Sequence, residues 1–205
     1  MHDLFHSALQ LLDAGDARGL QQLLGKHPEL VRHRADWDGP AYFRHPSLLE
    51  FVAENPTRND KLPENIVEMA RIVLDADAKS DAAAVNRTLM LVATGRVARE
   101  CGAQEPLIDL LASYGGDVNG AMLPALAHGE FAAAKALLIR GANLSLPVAA
   151  ALGRSSFAAE LLPDATAEER HCALALAAQF GHAELEAPRR RCLNPTEPRL
   201  PWRPL

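Results

Sequence analysis

A glycine followed eight residues later by a pair of leucines recurs along this chain. The spacing fails at a fifth glycine, Gly181, where the count reaches Arg189 and Arg190. The four intact copies are Gly15 with Leu23-Leu24, Gly102 with Leu110-Leu111, Gly129 with Leu137-Leu138, and Gly153 with Leu161-Leu162. A motif that recurs at a fixed internal distance is typical of repeat architectures. Such proteins build binding surfaces far more often than active sites.

The composition favours helices throughout. The 205 residues include 37 Ala and 32 Leu, but only 13 Val and Ile together. Ala and Leu are strong helix formers, whereas strands favour β-branched residues. We therefore predict an all-α fold in which small Ala faces let neighbouring helices approach closely.

Charge and cysteine usage narrow the class of protein. The net charge is −5, and the last 20 residues (186–205) hold five Arg against two Glu, so the preceding body is more acidic. An acidic body argues against non-specific nucleic-acid binding. No apolar run is long enough to cross a membrane, and the N-terminus lacks the features of a signal peptide. Three isolated cysteines fit a cytoplasmic protein, and we expect Cys101 and Cys172 to be buried.

Helical periodicity and turn residues divide the chain into segments. We predict a loop over 32–46, a short helix capped by Ser47, a second loop over 55–63, and one long helix over 88–100. Thr166 and Glu169 form a predicted capping box. The predicted core residues are Leu9, Leu12, Leu20, Leu23, Leu24, Leu49, Val52, Val67, Ala70, Leu74, Leu107, Leu110, Leu111, Leu126, Leu137, Leu138, Leu161, Leu162, Leu174 and Ala178.

Several turns resemble those of ankyrin repeats. Gly129-Glu130 matches the turn between the two ankyrin helices, and Gly141-Ala142-Asn143 matches the exit turn that follows the second helix. Gly115-Gly116-Asp117-Val118-Asn119 matches the same exit turn. The resemblance covers roughly residues 3–184 as about six helix-turn-helix units, of a divergent, bacterial type. It departs from the family in lacking the Thr-Pro-Leu-His signature and in the uneven spacing of its motif glycines, which do not keep the regular ankyrin period.

The resemblance implies an ankyrin-like helical-repeat solenoid with short or missing β-hairpin fingers. Ankyrin repeats act as interaction modules, so it also implies a protein or peptide partner on the concave face of the array. It implies neither a cofactor nor catalysis. The sequence itself contains no nucleophile-elbow, zinc-protease, phosphate-loop or dinucleotide motif. His128 and His182 flank inter-helix glycines, where we expect them to make structural hydrogen bonds.

Three segments are candidates for the partner-binding surface. In the first, Trp37, Asp38, Tyr42 and Phe43 combine aromatic rings with polar neighbours, as binding hot spots do; alternatively, these rings fold back over the first two units. The second comprises Thr94, Arg96 and Arg99, which place polar groups on the predicted 88–100 helix, and the third is the 55–63 loop. Two alternatives to an interaction module stay open. One is an enzyme with a site in loops 37–43 or 55–63 that uses His33, His45 or Asp60, and the other is a structural or regulatory scaffold.

The segment 185–205 does not continue the repeat. It is rich in Pro and Arg, which predicts a disordered or extended tail. One interpretation is a truncated last repeat followed by an out-of-frame product of a GC-rich gene. The other is a polyproline II motif, since Pro195, Pro198, Pro201 and Pro204 recur at every third residue.

Overall fold

The computed structural model of the protein describes residues 2–76 and 81–182. All regular secondary structure within these ranges is helical, so the prediction of an all-α fold is confirmed. None of the described helices is long and apolar enough to cross a membrane. The expectations for the tail at 185–205 fall outside the described residues.

The chain separates into two compact units, Met1–Asn143 and Leu144–Leu205. In the first unit, α3 packs against α2, while α4 contacts α6, α7 and a 3₁₀ helix. The α-helices of this unit are α1 (His2–Ala14), α2 (Ala17–Lys26), α3 (Ile66–Ala76), α4 (Ala82–Ala93), α5 (Arg96–Glu100), α6 (Gln104–Ser113), α7 (Val118–Ala127) and α8 (Phe131–Ile139). Its 3₁₀ helices are Pro28–Val31, Ala41–Phe43 and Leu48–Ala53.

The second unit contains α9 (Leu146–Ala151), α10 (Ser155–Leu161) and α11 (Ala167–Gln179). Every residue of α9 is buried, and α9 packs against both α10 and α11. Alanines make up most of the buried cluster, with Ala149 and Ala177 fully buried at its centre. Small side chains at these positions let the helices approach closely, as the composition predicts.

The glycines of the recurring motif share one turn geometry. At Gly129, with φ +73°, the backbone N–H donates to Leu126 (2.8 Å), and the N–H of Glu130 donates to Ala125 (2.9 Å). This pair of bonds is the Schellman arrangement that closes helix C-termini. The same two bonds recur at the other motif glycines, including the fifth, which are Gly15, Gly102, Gly153 and Gly181. The motif therefore marks a turn that closes the end of a helix. Gly181 keeps this turn although no leucine pair follows it at the usual spacing.

Most of the predicted core residues are buried. Those that are only half-buried are Leu23, Val67, Leu138, Leu161, Leu162 and Leu174. Ala178 is exposed, so its assignment to the core is wrong. Its neighbour Ala177 is fully buried, and one residue along a helix rotates the side chain by about 100° away from that face.

The predicted single helix over 88–100 is wrong in its extent and continuity. Asp81 caps α4 seven residues before the predicted start, and the chain breaks at Gly95 before α5 begins. A Cβ atom at Gly95 would lie 2.9 Å from the carbonyl oxygen of Leu91 and 3.4 Å from that of Ala53. The break therefore occurs where the chain passes too close to neighbouring backbone to carry a side chain.

Two helices begin at the capping residues that the sequence predicts. Glu50 Oε1 accepts hydrogen bonds from the backbone N–H and the hydroxyl of Ser47, both at 3.1 Å. Thr166 and Glu169 form the predicted capping box at the start of α11. Cys101 departs from its expectation: it is exposed, because it caps the end of α5 immediately before the Gly102 turn.

The two kinds of glycine in this fold should respond oppositely to alanine. We expect Gly129→Ala to lower the free energy of unfolding by about 1 kcal/mol, since its positive φ strains any L side chain. The matched control is Gly25→Ala within α2, where an added Cβ meets no atom within 4 Å. It should raise stability by about 0.5–1 kcal/mol through helix propensity. Urea denaturation measures both, and a stabilised Gly129→Ala protein would contradict the assignment.

Candidate interaction surface

The aromatic residues of the 32–46 loop pack largely inward. Phe51 lies at the centre of a cluster in which its ring centroid is 4.9 Å from Trp37 and 5.3 Å from Phe43, both edge-to-face. Phe43 is only 3% exposed, so the expectation that it presents a ring to a partner is wrong. Trp37 is half-buried, whereas Tyr42 keeps 55% of its surface exposed. The inward-folding alternative therefore describes Phe43 and much of Trp37, but not Tyr42.

The backbone of this loop pairs with itself. Ala35 N–H donates to the carbonyl of Pro46 (3.0 Å), and Trp37 N–H donates to that of Arg44 (2.9 Å). The two bonds follow an antiparallel register, so Asp38 and Tyr42 lie near the tip of a narrow hairpin-like loop. Asp38 is exposed to solvent there.

The 55–63 loop wraps around a buried carboxylate. Glu54 is 3% exposed and adopts a left-handed backbone conformation with φ +48°. Its Oε1 accepts backbone hydrogen bonds from Arg58 (2.6 Å), Asn59 and Asp60 (3.1 Å). Three amides that converge on one anion hold the loop in a single path.

Arg58 ties the same loop to two other parts of the first unit. Its guanidinium pairs with both carboxylate oxygens of Asp13 on α1, with Nη2 2.6 Å from Oδ1. It also lies 5.2 Å from the centroid of the Phe51 ring, within cation–π range. The loop is thus fixed against both α1 and the aromatic cluster.

Hydrogen bonds join the three candidate segments into one surface. The Tyr42 hydroxyl donates to Asn55 Oδ1 (3.3 Å), and Asn55 Nδ2 donates to the hydroxyl of Thr94 (3.2 Å) and the carbonyl of Leu91 (3.0 Å). Arg96 then contacts Asp60 of the 55–63 loop, with Nη2 2.5 Å from Oδ1. The sequence presented these segments as separate alternatives, but the structure connects them.

Arg96 and Arg99 lie on α5, not on the helix that Thr94 ends. Arg96 pairs with Asp60 and with Glu100 (2.6 Å), and these carboxylates raise the pKa of Arg96 above its ordinary value. Arg99 contacts Glu130, a carboxylate that is 5% exposed. Both arginine side chains stay nearly half exposed, at 49% and 45%.

A second buried carboxylate, that of Glu50, holds two arginines near this surface. Glu50 is fully buried, and its Oε1 accepts from Arg34 Nη1 at 2.5 Å. Arg87 Nη2 lies 2.9 Å from Glu50 Oε2 at ion-pair distance, and Arg34 also donates to Asp81 (2.6 Å). Burial opposes ionisation of Asp81, but hydrogen bonds from Ala84 and Arg34 outweigh it and lower its pKa.

Sequence reasoning missed the side chains that position this surface. They are Arg34, Glu50, Glu54 and Arg87, whereas Asn55 and Arg58 lie in the 55–63 loop, which was already a candidate segment. The available signal was two glutamates within the otherwise apolar run 48–54. A charged group in such a run must find partners when it is buried.

The residues of the enzyme alternative make separate contacts. His33 packs edge-to-face on Phe5 at 5.4 Å, and exposed His45 pairs with Asp36 at 3.2 Å. Asp60 forms an ion pair with Arg96.

A groove of about 310 Å³ lies between α2 and α3, and Asp75 lines it. Within the described residues, no three His, Cys, Asp or Glu side chains could hold a metal ion together.

Comparison of the chain with family profiles, curated proteins and solved structures finds no match. The functional conclusion therefore rests on the geometry of these side chains. In that geometry, exposed Tyr42 and half-buried Thr94 both bond half-buried Asn55, and exposed Arg96 pairs with Asp60 on the loop that buried Glu54 anchors.

The Glu54 carboxylate should be essential for the order of the 55–63 loop. We expect Glu54→Ala to lower the free energy of unfolding by about 3 kcal/mol, because it leaves three part-buried backbone amides without their acceptor. Hydrogen exchange at Arg58, Asn59 and Asp60 should accelerate. Exposed Glu64→Ala is the control, with an effect within about 0.5 kcal/mol. Unchanged exchange at the three amides in Glu54→Ala would rule out this anchoring role.

The ionised carboxylate of Asp81 should stabilise the folded protein at neutral pH and lose this effect as the pH falls. Its pKa is lowered in the folded state, so its stabilisation is present above the unfolded pKa and is lost as pH falls through the folded pKa. Asp81→Asn should therefore cost about 1 kcal/mol at neutral pH, and this cost should shrink as the pH falls from neutral through the folded pKa. Thermal unfolding across this range measures the difference, with exposed Asp38→Asn as control. A pH-independent difference would exclude the charge of Asp81 as its cause.

Proposed function

We propose that this protein is a divergent ankyrin-like repeat protein that binds a protein or peptide partner and has no catalytic activity of its own. Within the first unit, the proposed contact surface is formed by Tyr42, Asn55, Thr94 and Arg96. In an ankyrin-like array this surface belongs to the concave face. The acidic body disfavours nucleic acid as the partner. We place the protein in the cytoplasm, where the exposed thiol of Cys101 would stay reduced.

Two equivalent asparagines support the repeat assignment. Asn86 Oδ1 accepts a hydrogen bond from the N–H of Asp117 (2.8 Å), and Asn119 Oδ1 accepts one from the N–H of Asn143 (2.7 Å). The step from position 86 to position 119 equals one ankyrin period of about 33 residues. The hairpin-like pairing at Ala35 and Trp37 is similar to a short ankyrin finger.

The observation that carries the functional proposal is that Tyr42, Thr94 and Arg96 are each bonded to the 55–63 loop, which the buried Glu54 carboxylate anchors. Tyr42 and Thr94 meet at Asn55, and Arg96 meets Asp60 on a loop held by Glu54. A surface that is already ordered loses less conformational entropy when a partner binds. Such preorganisation favours the binding of a partner.

Affinity capture from the native cell with immobilised variants tests this function. We expect Tyr42→Ala and Arg96→Glu to weaken capture of a specific partner by about tenfold or more, as for central interface residues. Ile139→Ala is the matched control, since Ile139 is 74% exposed on α8 and lies outside the surface. If the wild-type protein and all three variants capture the same partner equally, the binding surface lies elsewhere.

A further inference from the structure

The groove between α2 and α3 combines apolar and polar groups. Its volume of about 310 Å³ lies at the lower end of the range of about 300–1,000 Å³ for ligand pockets, which suits a single extended side chain. Its apolar lining comes from Leu24, Pro28, Ile72 and Ala76, and its polar lining from Gln21 and Asp75. No residue of the proposed contact surface lines this groove, so it is a separate candidate site.

Gly25 also lines the groove, and the fold itself does not require a glycine there. Gly25 is not in the left-handed conformation that the motif glycines adopt. It lies within α2, where glycine destabilises a helix relative to alanine. An added Cβ would meet no atom within 4 Å, so close packing inside the protein does not demand it either. The missing side chain instead leaves space through which the main chain of another molecule can approach.

Asp75 gives the groove a negative charge. The hydroxyl of Tyr114 donates to Oδ1 of Asp75, and this bond raises the pKa of Tyr114 above its ordinary value. Arg71, one turn earlier on α3, also acts on the Tyr114 hydroxyl. Among the described residues, however, no Arg, Lys or His forms an ion pair with Asp75. The carboxylate therefore has a neutral donor on one oxygen and is open to a cation on the other.

We propose that this groove binds a lysine side chain of a partner protein. Lysine has an apolar stem and a charged end, which match the two kinds of lining. The stem would lie against Leu24 and Ile72, and the ammonium would reach Oδ2 of Asp75. The amide oxygen of Gln21 can accept a second ammonium N–H. The site is additional to the surface around Tyr42 and Arg96 and does not rest on it.

The bond from Tyr114 favours lysine over arginine. Arginine pairs best with a carboxylate when its planar fork engages both oxygens. Oδ1 of Asp75 already accepts from Tyr114, whereas an ammonium needs only Oδ2. The net charge of −5 favours a cationic ligand in general.

NMR titration of the full chain with N-acetyl-lysine methylamide tests this site. We expect saturable shifts of the backbone amide signals of Gln21, Gly25 and Asp75, with a dissociation constant of about 1 mM for one side chain. The matched norleucine derivative has a similar stem without the charge, and the arginine derivative needs the fork. Both should bind about fivefold more weakly, as expected for loss of one exposed ion pair.

Three protein variants separate the contributions of space and charge. Gly25→Leu should abolish binding by filling the groove, while leucine, a stronger helix former, keeps α2 folded. Asp75→Asn should weaken binding of the lysine derivative about fivefold and leave that of the norleucine derivative unchanged. Glu105→Gln is the control, since Glu105 is an exposed carboxylate on α6 that does not line the groove. Urea denaturation confirms that each variant is folded.

Several results would overturn the inference. They are equal binding of the lysine and norleucine derivatives, arginine binding as tight as lysine binding, equal binding to the wild-type and Gly25→Leu proteins, and no saturable shift at all. Tighter binding of 1,5-diaminopentane than of the lysine derivative would also overturn it, because the groove would then take a free amine. Cellular capture with the Tyr42 and Arg96 variants tests the proposed function separately, so the two can fail independently.

Discussion

The carboxylate of Glu54 is enclosed in the first unit, where backbone N–H groups of its own loop donate to it. The rest of the candidate surface depends on this interaction. The loop that it orders carries Asp60, which holds Arg96, and Arg58, which reaches Asp13 on α1. Without a fixed path for residues 55–60, the three segments identified in the sequence would have no common support.

Buried ion pairs of this kind are weak evidence of stability. Removing a carboxylate and an arginine from water costs several kcal/mol, and their attraction often only offsets that cost. Their role here is to orient arginine side chains. Glu50, Glu54 and Glu130 each fix an arginine that an apolar residue could not orient, and Arg87 and Arg99 reach solvent from such pairs. The interior thereby determines which charged groups the surface presents.

Local rules in the sequence were enough for much of the fold. Helix propensity, the turn at Gly129 and the capping box at Thr166 depend on neighbours within a few residues, and each is confirmed. The break at Gly95 was missed because its surroundings are only partly local: a Cβ there would lie 2.9 Å from the carbonyl oxygen of Leu91 and 3.4 Å from that of Ala53, which comes from a distant segment. The surface depends on even longer separations, such as the 45 residues between Asp13 and Arg58. Single residues such as Tyr42 could be proposed from their chemistry, but their shared support could not.

The hydrogen bonds that Asn86 and Asn119 accept bear on how such a chain can change in evolution. Each fixes a later turn against the helix that carries the asparagine, α4 or α7, through a single side-chain amide oxygen. The register between each of these helices and the later turn is therefore set by one hydrogen bond. The length of chain between the two bonded residues is free to vary. Insertions or deletions can accumulate in the connecting segments while the helices keep their alignment. That freedom accounts for a chain whose turns are alike but whose motif glycines are unevenly spaced.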